Sequence, residues 1–252
     1  VSTADIGVES VIPAIAASEH EVAAIASRDG TSASALADQF GVEAAYEGYG
    51  SMFDEAEIDA VYIPLPNGLH AEWTRAAADA GLHVLCEKPL TGSAEETEAV
   101  FDYCEERDVT LMEAFMYRFH PLTKRAIEVV EEELDDVRAV TSAFTFRMPD
   151  GAEDIRLDPD LDGGSVYDVG TYAIGAARMF LGEPDRVYAR THDGRDCGVD
   201  TEMAGVLEYN SGASARVQSG FETPLTQYYR VETTDGWLTA EPTFDVDVEG
   251  ET

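Results

Sequence analysis

The sequence predicts an α/β chain in two parts: a doubly wound parallel sheet, followed by an α+β domain with a mostly antiparallel open sheet. Up to about residue 116, short apolar runs alternate with amphipathic stretches of helical period. That alternation is typical of a parallel sheet covered by helices on both faces. Beyond residue 117, runs with period-two alternation follow one another through short turns, which indicates antiparallel pairing. We therefore expect two domains, residues 1–116 and 117–252.

The individual elements follow from the same periodicities. In the first domain the predicted strands are residues 22–27, 58–63, 83–87 and 109–112, and the predicted helices are 8–18, 31–40, 69–80 and 93–106. In the second domain helices are expected at 122–134 and from Gly163–Gly164 to about residue 181. The expected second-domain strands are 137–147, 186–191, 203–209, 213–221 and 227–233, with hairpin turns at 210–212 and 234–236.

Composition limits the possible partners. The chain has 51 acidic and 16 basic residues, a net charge of −35, and a hydrophobic fraction of 44% that is ordinary for a folded protein. This charge, together with two lysines against fourteen arginines, fits a halophilic protein in a salt-loaded cytoplasm. Nucleic acid and anionic membranes are not expected as partners. The sequence contains no residues with EF-hand or zinc-site spacing, so no metal site is expected. The three cysteines are far apart in sequence and are expected to be reduced thiols.

The stretch around Lys88 carries the strongest chemical signal. The apolar run at residues 83–87 ends in Glu87–Lys88–Pro89. Pro89 cannot continue a central strand and biases Lys88 toward an extended backbone. Lys88 is therefore predicted at the carboxyl end of a strand, where open α/β sheets bind their ligands. Because the chain has two lysines, we interpret Lys88 as a residue that takes part in the chemistry.

Two stretches predict a dinucleotide site. Thr3–Ala4–Asp5–Ile6–Gly7 stands where a glycine-rich phosphate turn precedes a helix, although Ser2 replaces an expected glycine and no strand comes before it. A plain helix cap is the alternative. Ser27 and Arg28 end the next predicted strand, where NAD enzymes carry an acidic residue. A cation there favours the 2′-phosphate of NADP, and an exposed loop arginine is the alternative.

Two further clusters follow predicted strands. In the first, which includes Leu65 and Pro66, Asn67 is expected to cap a helix and His70 to face the ligand cleft; a structural histidine is the alternative. In the second, Arg118 and His120 point at a polar substrate, or Arg118 covers packed aromatic rings.

The last cluster follows Gly163–Gly164 and places Asp168 and Tyr172 four residues apart on one helix. A tyrosine works as an acid or base near neutral pH only beside a cation, and Lys88 is the expected partner, with Asp168 orienting either group. The alternative is an aspartate favoured by the helix dipole and a half-buried core tyrosine.

Together these stretches resemble the Gfo/Idh/MocA family of sugar and related dehydrogenases. The Asp168–Tyr172 pair resembles the pair found in the branch of NADP-dependent D-xylose 1-dehydrogenases and dimeric dihydrodiol dehydrogenases. The acidic composition resembles that of the haloarchaeal members of this branch. The resemblance implies a Rossmann-type first domain. It also implies that the sequence is a piece of a longer chain, because such proteins continue beyond Trp237–Leu238.

The resemblance also implies a mechanism, in which an aldose, D-xylose above others, binds between the domains and is oxidised at its anomeric carbon by NADP. Tyr172 takes the hydroxyl proton and Lys88 stabilises the developing charge, while Asp168, Arg118 and His120 contact the sugar. The implied cofactor-binding residues are Thr3, Ala4, Asp5, Ile6, Ser27, Arg28, Leu65, Pro66, Asn67, His70, Glu87 and Lys88.

The sequence is also compatible with other functions. They are dihydrodiol or other sugar and cyclitol dehydrogenases, and a non-catalytic NADP-binding sensor of the same fold. A homodimer or homotetramer through the second-domain sheet is expected.

Overall fold

The computed structural model describes residues 1–134 and 136–244, which fall into two compact units, Val1–Ala114 and the chain from Phe115 onward. The predicted second domain thus includes residues 245–252, which lie outside the described ranges. The strands of the first unit are β1 (Ala24–Ser27), β2 (Ala44–Glu47), β3 (Ala60–Ile63), β4 (His83–Glu87) and β5 (Leu111–Ala114). Its helices are α1 (Ile12–Ala16), α2 (Gly30–Phe40), α3 (Tyr49–Glu55), α4 (His70–Asp79) and α5 (Ala94–Glu105).

All strand pairs of the first unit are parallel, as predicted. They form a two-stranded sheet, β1-β2, and a three-stranded sheet, β3-β4-β5. The first two residues lie between these sheets: the Val1 amine donates to the Tyr62 carbonyl in β3 at 2.6 Å, and the Ser2 N–H donates to the Ala26 carbonyl in β1 at 2.7 Å. The turn at residues 3–6 therefore starts from the gap between β1 and β3.

The differences from the predicted elements have physical causes. Strand β2 was not predicted because its residues are alternately half-buried and exposed, so no apolar run marks it. Helix α3 was missed although Tyr49, Met52 and Phe53 bury one face of it, because its seven residues give too short a periodic signal. The predicted first helix is a π-helical turn, Gly7–Val11, that continues into the short α1.

The second unit confirms the predicted mostly antiparallel sheet. Its helices are α6 (Pro121–Glu133) and α7 (Thr171–Leu181), and its strands are β6 (Val137–Thr145), β7 (Arg186–His192), β8 (Glu202–Glu208), β9 (Ser214–Gly220), β10 (Thr226–Thr233) and β11 (Trp237–Ala240). The strand order is β11-β10-β6-β9-β8-β7, and among these described strands only the β6–β9 pair is parallel. Strand β11 was not predicted, because it is a four-residue edge strand with one buried residue.

One face of this sheet is covered and the other is open. Helix α7 packs on β6 through Ala173, Ala176 and Ala177, which have no exposed surface and whose small side chains allow a close approach. On the other face, Tyr188 in β7 and Val206 in β8 are 58% and 40% exposed. Among the described residues, no helix has the length and apolar character needed to cross a membrane.

Candidate active site

The segment around Lys88 leaves β4 at the carboxyl edge of the three-stranded sheet, as predicted. The last residue of β4, Glu87, is held by β3, because the Tyr62 hydroxyl donates to its Oε1 at 2.7 Å. The second oxygen of Glu87 accepts the N–H of Lys88 at 3.3 Å. Lys88 itself is partly exposed. The strand therefore presents a lysine directly beside a fixed carboxylate.

Two side chains from neighbouring elements hold the backbone that follows Lys88. His70, the first residue of α4, brings its Nδ1 to 2.8 Å from the Pro89 carbonyl oxygen. Glu113, in β5, accepts the N–H of Leu90 through Oε1 at 2.8 Å. Glu113 was not among the predicted site residues, although its place near the end of the next parallel strand was a signal that could have found it.

His70 has no exposed surface. Its Nε2 lies 2.7 Å from the Leu65 carbonyl oxygen, so the two ring nitrogens join the loop after β3 to the loop after β4. Burial lowers the pKa of His70, while the contacts with the Pro89 and Leu65 carbonyls oppose that shift. A side chain with no exposed surface does not face an open cleft, so His70 corresponds to the structural alternative of the prediction.

The loop after β3 differs from its prediction at Asn67. This residue begins a 3-10 turn, Asn67–Leu69, that precedes α4. No side chain caps α4, whose N-cap position is Leu69, so the predicted capping role of Asn67 is wrong. Leu65 is buried and Pro66 half-buried.

The residue directly before the turn at residues 3–6 has a backbone conformation typical of glycine. Ser2 has φ 75°, in the left-handed region that favours glycine, and its Oγ accepts the N–H of Ala4 at 3.2 Å. The Ala4 carbonyl accepts the N–H of Gly7 at 2.9 Å and opens the π-helical turn. Thr3 and Ile6 are half-buried and Asp5 is exposed. Ser2 therefore adopts the conformation of the glycine that it replaces.

The end of β1 carries a cation, as predicted. Ser27 is buried and Arg28 is exposed. The adjacent Asp29 carboxylate caps α2 by accepting the Thr31 N–H at 3.0 Å and the Ser32 hydroxyl at 2.7 Å. These hydrogen bonds, with that from Ser32 the largest cause, lower the pKa of Asp29. The Asp29 carboxylate, next to Arg28, is therefore engaged in capping α2.

In the second unit, Asp168 lies in a π-helical turn, Val166–Gly170, that leads into α7. Its carboxylate accepts the Arg156 Nε–H at 3.0 Å. Asp200 holds the start of the turn by accepting the Ser165 hydroxyl at 2.6 Å and the Val166 N–H at 3.0 Å. Arg156 and Asp200 were not predicted, because they are distant in sequence and belong to no motif that precedes the helix.

The glycine pair before this turn lies in a tight passage. A Cβ on Gly163 would lie 2.6 Å from the Arg156 carbonyl oxygen and 2.8 Å from that of Asp158. Gly164 has φ 115°, and a Cβ there would lie 2.6 Å from Asp200 Oδ1. The two glycines therefore bring the backbone against the residues that hold Asp168.

We expect Gly163→Ala to destabilise the fold by about 1–3 kcal/mol, because the new methyl group meets backbone that cannot move aside. Denaturant unfolding in molar KCl measures the change. Gly50→Ala is the matched control: nothing lies within 4 Å of its Cβ, and alanine in α3 should stabilise by about 0.5–1 kcal/mol. Equal stability of the two variants would contradict the tight passage.

Tyr172 is 4% exposed and lies in α7. Four aromatic rings of the second unit surround it, with centroids 5.8, 5.6, 5.4 and 5.5 Å away: Phe115, Tyr117, Phe144 and Phe244. Packing of this kind fixes the orientation of the phenol.

Arg118 and His120 lie at the start of the second unit. Arg118 is exposed in a 3-10 turn, Met116–Phe119. His120 Nδ1 accepts the Leu122 N–H at 3.1 Å and so caps α6. When the ring is neutral, its proton is therefore on Nε2. Substrate binding by these two residues stays a prediction.

Two family profiles match the chain. Residues 4–115 match GFO_IDH_MocA, described as an oxidoreductase family with an NAD-binding Rossmann fold. Residues 123–239 match the GFO/IDH/MocA C-terminal domain.

Individual relatives agree with these profiles. D-xylose 1-dehydrogenase (NADP(+)) 2 of Haloferax volcanii is 70% identical over 247 residues, which are 98% of this chain and 76% of that protein. A dTDP-3,4-didehydro-2,6-dideoxy-alpha-D-glucose 3-reductase of Streptomyces violaceoruber is 40% identical over 94% of this chain and 70% of its own. The crystal structure of KijD10, a 3-ketoreductase from Actinomadura kijaniata in complex with NADP and TDP-benzene, has a TM-score of 0.90 at 36% identity and covers 96% of this chain and 74% of that one.

Proposed function

Because the chain belongs to the GFO/IDH/MocA oxidoreductase family, we propose that it is an NADP-dependent sugar dehydrogenase that oxidises the anomeric carbon of an aldose, D-xylose in particular. The observation that carries the proposal is the 70% identity, over 98% of the chain, to the D-xylose 1-dehydrogenase of Haloferax volcanii. Trans-1,2-dihydrobenzene-1,2-diol dehydrogenase of Xenopus tropicalis is 29% identical, so diols are tested as alternative substrates.

The residues of the first unit fit NADP. The turn at residues 3–6 follows a left-handed Ser2 and leads into a helical turn, which suits a pyrophosphate. At the end of β1, Arg28 supplies a cation while Asp29 is occupied by its cap, which suits the 2′-phosphate. The loops that carry Leu65–Asn67 and Glu87–Lys88 complete the proposed contacts. Bound NADP supplies the hydride acceptor.

We expect Arg28→Ala to raise the KM for NADP about 10- to 100-fold, because one charge-assisted hydrogen bond to phosphate contributes about 1.5–3 kcal/mol. The KM for NAD should change little. Steady-state kinetics with both cofactors measure this, with Arg75→Ala, a partly exposed arginine on α4, as the control. An equal loss for NADP and NAD would contradict the contact with the 2′-phosphate.

For the chemical step we propose Tyr172 as the base that takes the proton of the anomeric hydroxyl, and Lys88 as the cation that stabilises the developing charge. Asp168, held by Arg156, orients these groups or the sugar, and Arg118 and His120 contact the sugar. KijD10 supports this pairing. It was crystallised with a tyrosine changed to phenylalanine and with a lysine changed to alanine, and those positions are separated by the same number of residues as Lys88 and Tyr172.

The test is NADP reduction, followed by absorbance in molar KCl, with a panel of pentoses, hexoses, inositol and dihydrodiols. Turnover of D-xylose with NADP, and little with NAD, is the expected result. Turnover of a diol but no aldose would move the substrate to the dihydrodiol class. NADP binding without turnover of any compound would contradict the proposed enzymatic activity and favour a non-catalytic NADP-binding sensor of the same fold.

We also propose that two or four copies associate through the open face of the second-unit sheet. One row across this face joins Tyr188, Val206, Arg216, Thr141 and Arg230 on five adjacent strands. Arg190 and Arg216 line a surface hollow on this face together with the exposed Tyr188 and Val206. Arg230 lies at the end of the row, where it pairs with Glu232. An exposed apolar surface of this kind is typical of an interface, and its cations lower the repulsion between copies.

We expect light scattering in molar KCl to give a mass of two or four chains of 27.3 kDa, and Tyr188→Asp to reduce it to one. The substitution places a charge in the row without touching the covered face. A wild-type protein that remains monomeric at assay concentration would contradict this interface.

The proposed location is the cytoplasm, because Cys86, Cys104 and Cys197 are free thiols.

A further inference from the structure

We propose that His70 and Glu113 are positioning residues for Lys88, which act by holding the two backbone groups that follow it. The inference rests on the proposed catalytic role of Lys88. Neither residue is proposed to touch the substrate.

The backbone needs such support because the strand ladder stops at Glu87. The β4–β5 register ends with Glu87 opposite Ala114, and the β3–β4 register ends one residue earlier, with Ile63 opposite Cys86. Lys88 follows immediately, just beyond the last paired residue of β4. A residue that has left its ladder keeps backbone freedom, and a displacement of about 1 Å at a reacting group costs about 100-fold in rate.

The two side chains replace the ladder at consecutive residues. His70 Nδ1 lies 2.8 Å from the Pro89 carbonyl oxygen, and Glu113 Oε1 accepts the Leu90 N–H at 2.8 Å. They come from opposite sides, since His70 begins α4 after β3 and Glu113 belongs to β5. Pro89 and Leu90 are buried, so water cannot easily supply either bond. The segment is thus clamped directly after the lysine.

The histidine can be tested atom by atom, because a neutral imidazole carries one N–H and both of its nitrogens face carbonyl oxygens. The proposal requires the N–H on Nδ1, toward Pro89. His70→Asn places its amide near the position of Nδ1 and keeps a donor for Pro89. His70→Gln places its amide near the position of Nε2 and keeps a donor for Leu65 instead.

We expect His70→Gln to lower kcat about 10- to 100-fold more than His70→Asn does, with similar NADP dissociation constants for both. Ala77→Gly, a destabilising change at a fully buried position of α4 away from both loops, controls for loss of stability. For Glu113, the expected order of kcat is Gln above Ala, because glutamine keeps an acceptor for the Leu90 N–H. Equal kcat within either pair would overturn the proposal.

A readout independent of turnover is available because the chain has two lysines, Lys88 and Lys124. Lysine labelled with ¹³C at Cε gives one NMR correlation for each, and Lys124→Arg assigns them. His70→Gln and Glu113→Ala are expected to move the Lys88 signal toward that of a free lysine and to leave the Lys124 signal in place. An unmoved Lys88 signal would overturn the clamp. If Lys88→Ala kept its kcat, the proposed chemistry would fail, while the NMR shift would still decide the positioning.

Discussion

Lys88→Ala is expected to lower kcat for aldose oxidation by about two or more orders of magnitude, with a small change in NADP affinity. Removing a group that stabilises developing charge typically costs about 10²–10³ in kcat. Lys88 has the placement that this role needs: it follows β4, beside a Glu87 that Tyr62 holds. Single-turnover reduction of NADP measures the chemical step, and quenching of intrinsic fluorescence measures NADP binding.

The matched control for this variant is Lys124→Ala. Lys124 is the other lysine of the chain and lies exposed on α6, so its loss removes an equal charge from the surface. We expect its kcat to stay within about twofold of wild type, since an exposed side chain away from a site has little effect. A Lys88→Ala enzyme with near wild-type kcat would remove Lys88 from the mechanism.

Patterns within short stretches were enough to predict much of the fold. The strand at residues 83–87 was predicted with its observed bounds because an apolar run ends at a proline, and both signals are local. Strands β2 and β11 were missed because neither carries an apolar run: β2 alternates half-buried and exposed residues, and β11 has one buried residue. Their pairing with β1 and β10 stabilises them, and such support is not visible in a short window.

The candidate site likewise has features that short stretches of sequence indicate and features that depend on distant segments. The positions of Lys88 and Arg28 directly after strands could be predicted from local patterns, and their roles in binding and catalysis stay predictions. The contacts that Asp200, Arg156 and Glu113 make could not be predicted, since each joins residues that are separated in sequence, although the place of Glu113 near a strand end was a signal that could have found it. Asp200, for example, accepts hydrogen bonds from Ser165 and Val166. The supporting contacts of a site arise from the packing of distant segments, so a local motif shows the chemical group and not what holds it.

Tyr172→Phe is expected to lower kcat about 10²- to 10⁴-fold, the usual contribution of general acid–base catalysis, with little change in the KM for the sugar. The substitution removes one oxygen from a ring that is 4% exposed and packed among four others, so the fold should be kept. Tyr117→Phe is the control in the same cluster. The Tyr117 hydroxyl is buried and makes no hydrogen bond to any described residue, so its loss should leave stability unchanged or raise it.

The double variant Lys88→Ala/Tyr172→Phe then tests whether the two residues serve one reacting hydroxyl. Groups that act as a unit are strongly non-additive, so the double variant should be little slower than the slower single variant. If the two losses instead multiply, Lys88 and Tyr172 act in separate steps or at separate sites. That result would leave Lys88 as the charge-stabilising group and would require another residue to take the proton.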